Sequence, residues 1–170
     1  MISIRITSVG DVTPRVMGSM IRDFDRLTED WTNAWPRVIQ KFRMQEFWKF
    51  TTENADGPSG RWAALSPAYA ARKAASHPGA PILTRDGALR GSLEADGAGS
   101  EVQQTSTTLF IGTSIPYAGY HQRGEGQRHR RPFIDPSERD VAEYASEIWR
   151  YFMTLKTRVG FKGRFVEAMS

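Results

Sequence analysis

At 170 residues, with 39% hydrophobic and 25% charged residues, the chain has the length and composition of one globular domain able to bury a core, not of a largely disordered protein. The absence of cysteine excludes disulfides, thiolate nucleophiles and cysteine-ligated zinc together. A net charge of +4 and a pI near 9.6 permit acidic partners without requiring nucleic acid. No apolar run approaches the roughly 20 residues that cross a bilayer. The opening Met1-Ile2-Ser3-Ile4-Arg5-Ile6 also lacks the order of a secretory signal, so a soluble, unexported protein with no membrane partner is expected.

Ile2, Ile4 and Ile6 alternate with Ser3, Arg5 and Thr7, the period-two pattern of a half-buried strand. Thr13 and Pro14 then read as the cap and first residue of a long helix. Met17, Met20, Ile21, Phe24, Leu27, Trp31, Trp35, Val38, Phe42 and Phe47 recur at three- and four-residue steps along it. Pro36 interrupts this run at a cost of about 3 kcal/mol inside a helix, which predicts either a kink near Trp35 or two helices, the second ending near Thr52. So much apolar stripe on so few residues implies that a partner subunit covers part of it.

Residues 53–60 are turn-forming and separate this helical arm, 1–52, from the rest of the chain. Ser66-Pro67 repeats the cap-then-proline signal, predicting a short helix from Pro67 to Ala75, and Thr84 reads as the cap of another through Leu89. Val102 to Thr105 and Leu109 to Gly112 flank a Ser/Thr turn and read as a hairpin, with a bulge expected at Gly97-Ala98-Gly99. Asp135, Pro136 and Glu138 carry the signature of a helix start, followed by a buried stripe of Val141, Ala145, Ile148 and Phe152. Residues 154–170 read as an edge strand or an extended arm that orders on a neighbour. The expected architecture is one α+β domain over 1–170: a small antiparallel sheet packed by a long N-terminal helix, kinked or split near Pro36, and a C-terminal helix.

The densest charge lies in the 123–131 loop, where Arg123, Arg128, Arg130 and Arg131 offer planar multi-donor contacts to phosphate or carboxylate. The loop reads either as a contact to DNA or an acidic neighbour, or as a solvated loop partly neutralised by Glu125. His77, His121 and His129 make no His-x3-His pair, so no metal site is expected. His121, near Tyr117 and Tyr120, reads as a structural histidine. Ser66 and Ser92 lack a nucleophile elbow, and the glycines lack phosphate-loop spacing, so neither a catalytic residue nor a cofactor is expected. The tryptophans 31, 35, 48, 62 and 149 read as core, or as interface residues where an arm is only half covered.

Four ordered segments resemble the phage virion morphogenesis family, the tail-completion proteins of tailed bacteriophages. The first carries Trp62, Leu65 and Ser66 ahead of Arg72 and Lys73; the second carries Leu83, Thr84, Gly87, Leu89, Arg90 and Ser92. The third is Pro116-Tyr117-Ala118 with His121, Gln122 and Gly124, and the fourth is Arg131-Pro132-Phe133. The resemblance covers about the middle half of the chain. It implies a non-enzymatic structural subunit of the virion, assembled in the host cytoplasm, that forms a ring, a hexamer, at the tail top or in the neck. Its implied partners are other copies of itself, a head–tail connector or head-closure protein, a tail terminator or tail-tube protein, and DNA in the lumen. Helix length and charge clustering then make Phe24, Trp31, Trp35 and Phe42 the expected subunit interface of such a ring, and Arg123, Arg128, Arg130 and Arg131 the loop facing the lumen or the adjoining ring. The rival readings are a nucleic-acid-binding module using the same loop, and a hydrolase or nuclease using His121 with Glu125, which lacks a metal set and an orienting partner.

Overall fold

A computed structural model of the chain describes residues 2–7, 30–125 and 129–158. A three-stranded antiparallel sheet is ordered β1-β3-β2, with β1 at Ile2–Thr7, β2 at Ser100–Gln104 and β3 at Thr108–Thr113. Ile4 and Val102 both face Ile111 across β3, so the central strand is the second arm of the expected hairpin. Leu109, Ile111 and Thr113 alternate onto one buried face, the period-two pattern that turns an apolar strand towards a core. Gly97-Ala98-Gly99 lies ahead of β2 and the register stays regular, so the expected bulge is not formed. Gly99 instead sits at φ +83°, where any Cβ would also come within 2.8 Å of Ile115.

Five helices pack around this sheet among the described residues: α1 at Trp35–Thr52, α2 at Pro67–Ser76, α3 at Ala88–Glu94, α4 at Ala118–Arg123 and α5 at Glu138–Arg158. Pro36 stands in the first turn of α1 and starts the helix rather than kinking one, because a proline there forfeits no backbone hydrogen bond. The part of the expected helix before Asp30 lies outside the described residues. A turn carries the chain from Trp31 into α1, with the Ala34 N–H donating to the Trp31 carbonyl at 2.7 Å. Trp35 anchors the helix to the turn between β2 and β3 through an indole N–H that donates to the Thr105 carbonyl at 2.8 Å.

Trp35, Val38, Phe42 and Phe50 of α1 are buried with Trp62, Leu89, Leu93, Leu109, Phe133 and Ile148 in one core. Among the described residues, the 35–52 part of the helical arm thus contributes to the same core as the rest of the chain. α5 crosses α1 through Lys41 and Glu143 at 2.8 Å, and Gln45 donates to the same carboxylate at 3.1 Å and accepts from the Tyr144 hydroxyl. The Lys41 ammonium is the main reason that Glu143 lies below the usual carboxylate range.

Helix boundaries depart from the sequence expectation at the start of α3 and at both ends of α5. Thr84 does not cap α3: its hydroxyl donates back to the Pro81 carbonyl at 2.7 Å, and the helix opens after Gly87 at φ +77°, a left-handed position that glycine fills without strain. Asp135 does not cap α5. Ser137 does, in a reciprocal box in which the Asp140 N–H donates to Ser137 Oγ at 3.1 Å and the Ser137 N–H to Asp140 Oδ2 at 2.8 Å. α5 runs on to Arg158, so the extended arm expected from 154 is helical over its first residues; 159–170 lie outside the described residues.

Candidate interaction surface

Three of the four motif segments meet at one junction. The Trp62 indole N–H donates to the Pro132 carbonyl at 2.7 Å, and the Trp62 ring stands edge-on to Phe50 at 5.3 Å, with Phe133 beyond at 6.4 Å from Phe50. Arg131 is buried, and its guanidinium donates to the carbonyls of Ala63 at 2.8 Å and Ala64 at 3.0 Å. Its own N–H donates to the His121 carbonyl at 2.8 Å. Gln122 completes the clamp: its Oε1 accepts from the N–H groups of Phe133 and Ile134 at 3.0 and 3.2 Å, and its Nε2 donates to the Ile134 carbonyl at 2.7 Å. Gly124, at φ +76°, ends α4 with its N–H on the Tyr120 carbonyl, so the chain can turn back to the 131–134 strip.

The second motif segment sits beside this junction. Leu89 and Ser92 are buried, and Ser92 Oγ is 2.8 Å from both the Leu89 carbonyl and Thr113 Oγ1, which binds α3 to the sheet. Leu83 is half-buried at φ +62°, and Leu65 is likewise half-buried against the core. Arg90 pairs with Glu94 at 2.6 Å and stacks over the Phe47 ring at 5.0 Å. Burial, with the negative charge of Asp86 as the next cause, raises the Tyr117 hydroxyl above its usual value.

The arginine loop thus divides. Arg131 is buried, with its guanidinium bound to backbone carbonyls inside the domain. Arg123 pairs with Glu125, while Arg130 is exposed; Arg128 lies outside the described residues. A groove of about 290 Å³ between α2 and the following loop is lined by Tyr69, Arg72, Lys73 and Arg85, but its cations are engaged. Arg72 stacks over Tyr69 at 5.3 Å, Arg85 pairs with Asp86 at 3.2 Å and Lys73 donates to the Pro81 carbonyl. Among the described residues no three His, Asp or Glu side chains gather as a metal site, and no helix is long and apolar enough to cross a membrane.

The expected subunit interface needs the same correction. Trp35 and Phe42 are fully buried in the chain's own core and have no surface to offer, and Trp31 is half-buried, its ring edge-on to Trp35 at 5.5 Å and to Phe152 at 6.2 Å. Phe24 lies outside the described residues. The apolar surface of α1 is its other face: Met44 is 48% exposed, Phe47 43% and Trp48 58%, with the Phe47 and Trp48 rings edge-on at 5.5 Å. Met44, Phe47 and Trp48 follow the three- and four-residue spacing of a second stripe; Phe47, expected in the stripe through Trp35 and Phe42, lies on this exposed face instead. α5 carries a separate apolar strip, with Val141 54% and Trp149 55% exposed.

No curated protein and no solved structure matches the chain. The profile of the phage virion morphogenesis family does match it, over residues 33–148, a span that holds all four motif segments, the junction they build and the Met44–Phe47–Trp48 face; the chain belongs to that family.

Proposed function

We propose that the chain is a tail-completion subunit that assembles as a closed ring, a hexamer, at the tail top or in the neck, where it joins tail to head. The observation that carries this reading is the Met44, Phe47 and Trp48 face, three large apolar side chains left in water on a helix whose opposite face is saturated with core contacts. Family membership supplies the setting, a structural role in building the virion. A ring closes through heterologous contacts, in which this face meets a different surface of the next subunit. Trp48, the most exposed of the three, is the anchor type that dominates protein interfaces, and Arg90 stacked on Phe47 forms a polar rim. The junction around Arg131, Gln122 and Trp62 packs against Phe50 on the buried side of the same helix. Function is stereospecific assembly without turnover; the ring's neighbours are a connector or head-closure protein on one side and a tail terminator or tube protein on the other, with DNA in the lumen.

A phage carrying this gene with Trp48→Asp tests the reading. Filled heads and tails should accumulate unjoined, and added wild-type protein should restore infectious particles in the lysate. Normal yields of joined virions from the Trp48→Asp phage would contradict the proposed interface, and tails joined without any copy of this protein would contradict the proposed role.

A further inference from the structure

Two helices leave apolar side chains in water, and on each helix these side chains fall in a line. On α1, Arg37, Gln40, Met44 and Trp48 are all exposed, at i, i+3, i+7 and i+11. On α5, Glu138, Val141, Ala145 and Trp149 are exposed at the same steps, against the expectation that Val141 and Ala145 share the burial of Ile148. Each line opens on a charge, positive on α1 and negative on α5, and runs on for about 17 Å. Neither Arg37 nor Glu138 has an ion-pair partner among the described residues.

The two lines face different ways. Met44 lies about 200° round α1 from Phe42, which is in the core, so the α1 face points away from the core. Ala145 lies about 200° round α5 from Glu143, whose carboxylate meets Lys41 and Gln45 of α1, so the α5 strip points sideways, away from α1. An ion-paired ridge divides them, with the Glu143 carboxylate 2.8 Å from Lys41 and 3.1 Å from Arg139. Two apolar faces set apart in this way give a subunit one surface to donate and one to receive, as a head-to-tail contact needs.

We propose that the Met44, Phe47 and Trp48 face of one copy docks on the Val141, Ala145 and Trp149 strip of the next copy, with the two helices parallel. This docking rests on the ring proposed above and names the surface that receives the α1 face. Charge sets the direction. Laid parallel, Arg37 meets Glu138, the large Met44 side chain falls opposite the small Ala145, and Trp48 lies beside Trp149 as an aromatic pair. Laid antiparallel, the Glu138 carboxylate would sit against the Trp48 ring, whose negative face repels an anion.

The full chain has no cysteine of its own, so introduced ones report the contact directly. Met44 and Ala145 are exposed, and substitution there leaves the core intact. Oxidising a mixture of Met44→Cys and Ala145→Cys should give a disulfide-linked dimer that neither variant gives alone, and the double variant should give a ladder of linked multimers. Arg37→Cys mixed with Glu138→Cys should link as well, as the parallel direction requires. A dimer from Met44→Cys alone would mean that the α1 face pairs with the same face of another copy, and linkage of Arg37→Cys to Trp149→Cys would reverse the direction; either result overturns the docking. No linkage in the Met44→Cys and Ala145→Cys mixture would overturn it too, and light scattering of the wild type then separates the causes. A ring mass would mean that the ring stands and its receiving surface lies elsewhere, and a monomer that the ring itself is wrong.

Discussion

The indole N–H of Trp62 and the carbonyl of Pro132, 70 residues apart in sequence, meet at 2.7 Å in the buried junction of the domain. Trp62→Phe keeps an aromatic ring against Phe50 and removes only the donor, leaving the Pro132 carbonyl without it. The expected cost is about 1–3 kcal/mol of stability, the penalty for stranding a buried polar group. Urea denaturation should show a lower midpoint with an unchanged slope.

Gln122 is the single side chain that satisfies three backbone groups of residues 133 and 134. Gln122→Glu preserves the two accepted bonds but sets a carboxylate oxygen against the Ile134 carbonyl in place of a donor. It should destabilise the fold by about 2 kcal/mol or more, and should be worse at neutral pH than at pH 4, where the carboxyl can donate. Thermal unfolding of the variant at the two pH values checks this against the wild type.

Arg131→Lys should behave unlike a conservative change. A lysine has no planar fork to bridge the carbonyls of Ala63 and Ala64, so it loses at least one of two buried bonds. A loss of about 1–3 kcal/mol is expected, whereas Arg130→Lys, at an exposed position, should change stability by under about 0.5 kcal/mol. Chemical denaturation of the two variants side by side separates the arginine that holds the fold from the arginine on its surface.

Glu46 is fully enclosed beside Lys49, their charged groups 2.9 Å apart, and burial pushes its carboxyl up from 4.5 to about 7 despite that ammonium. A carboxyl that binds its proton more tightly when folded contributes most below pH 4.5, and that contribution declines as the pH climbs to about 7 and is flat beyond it. The span corresponds to on the order of 3 kcal/mol. Glu46→Gln should remove this slope, so a plot of unfolding free energy between pH 4.5 and 7 should be flatter for the variant; an unchanged slope would show that another group is responsible.

Periodicity revealed apolar faces in this sequence but not what covers each of them. It found the stripe through Trp35, Val38 and Phe42, yet nothing in the spacing could say that the domain itself consumes that face and leaves Met44, Phe47 and Trp48 outside. On α5 the same reasoning expected Val141 to be buried, and it is exposed. The hairpin was legible because Val102 to Thr105 and Leu109 to Gly112 flank a Ser/Thr turn, and α2 because Ser66-Pro67 opens it. The start of α5 was misjudged by two residues because Asp135 looks like a cap, while its carboxylate accepts from the Ser59 N–H at 2.9 Å and Ser137 does the capping. Arg131 shows the deeper limit. A run of arginines advertises charge, and only the tertiary structure reveals that one guanidinium is bound to backbone carbonyls 67 and 68 residues away.

The proposed assembly runs through the exposed face of α1. Light scattering after size exclusion, at low and high salt and with duplex DNA added, should give the wild type a discrete ring mass that DNA does not alter. Trp48→Asp should give a monomer with an unchanged circular dichroism spectrum. A wild-type monomer that binds duplex DNA tightly at low salt and releases it at high salt would contradict the assembly reading and favour a nucleic-acid-binding module instead.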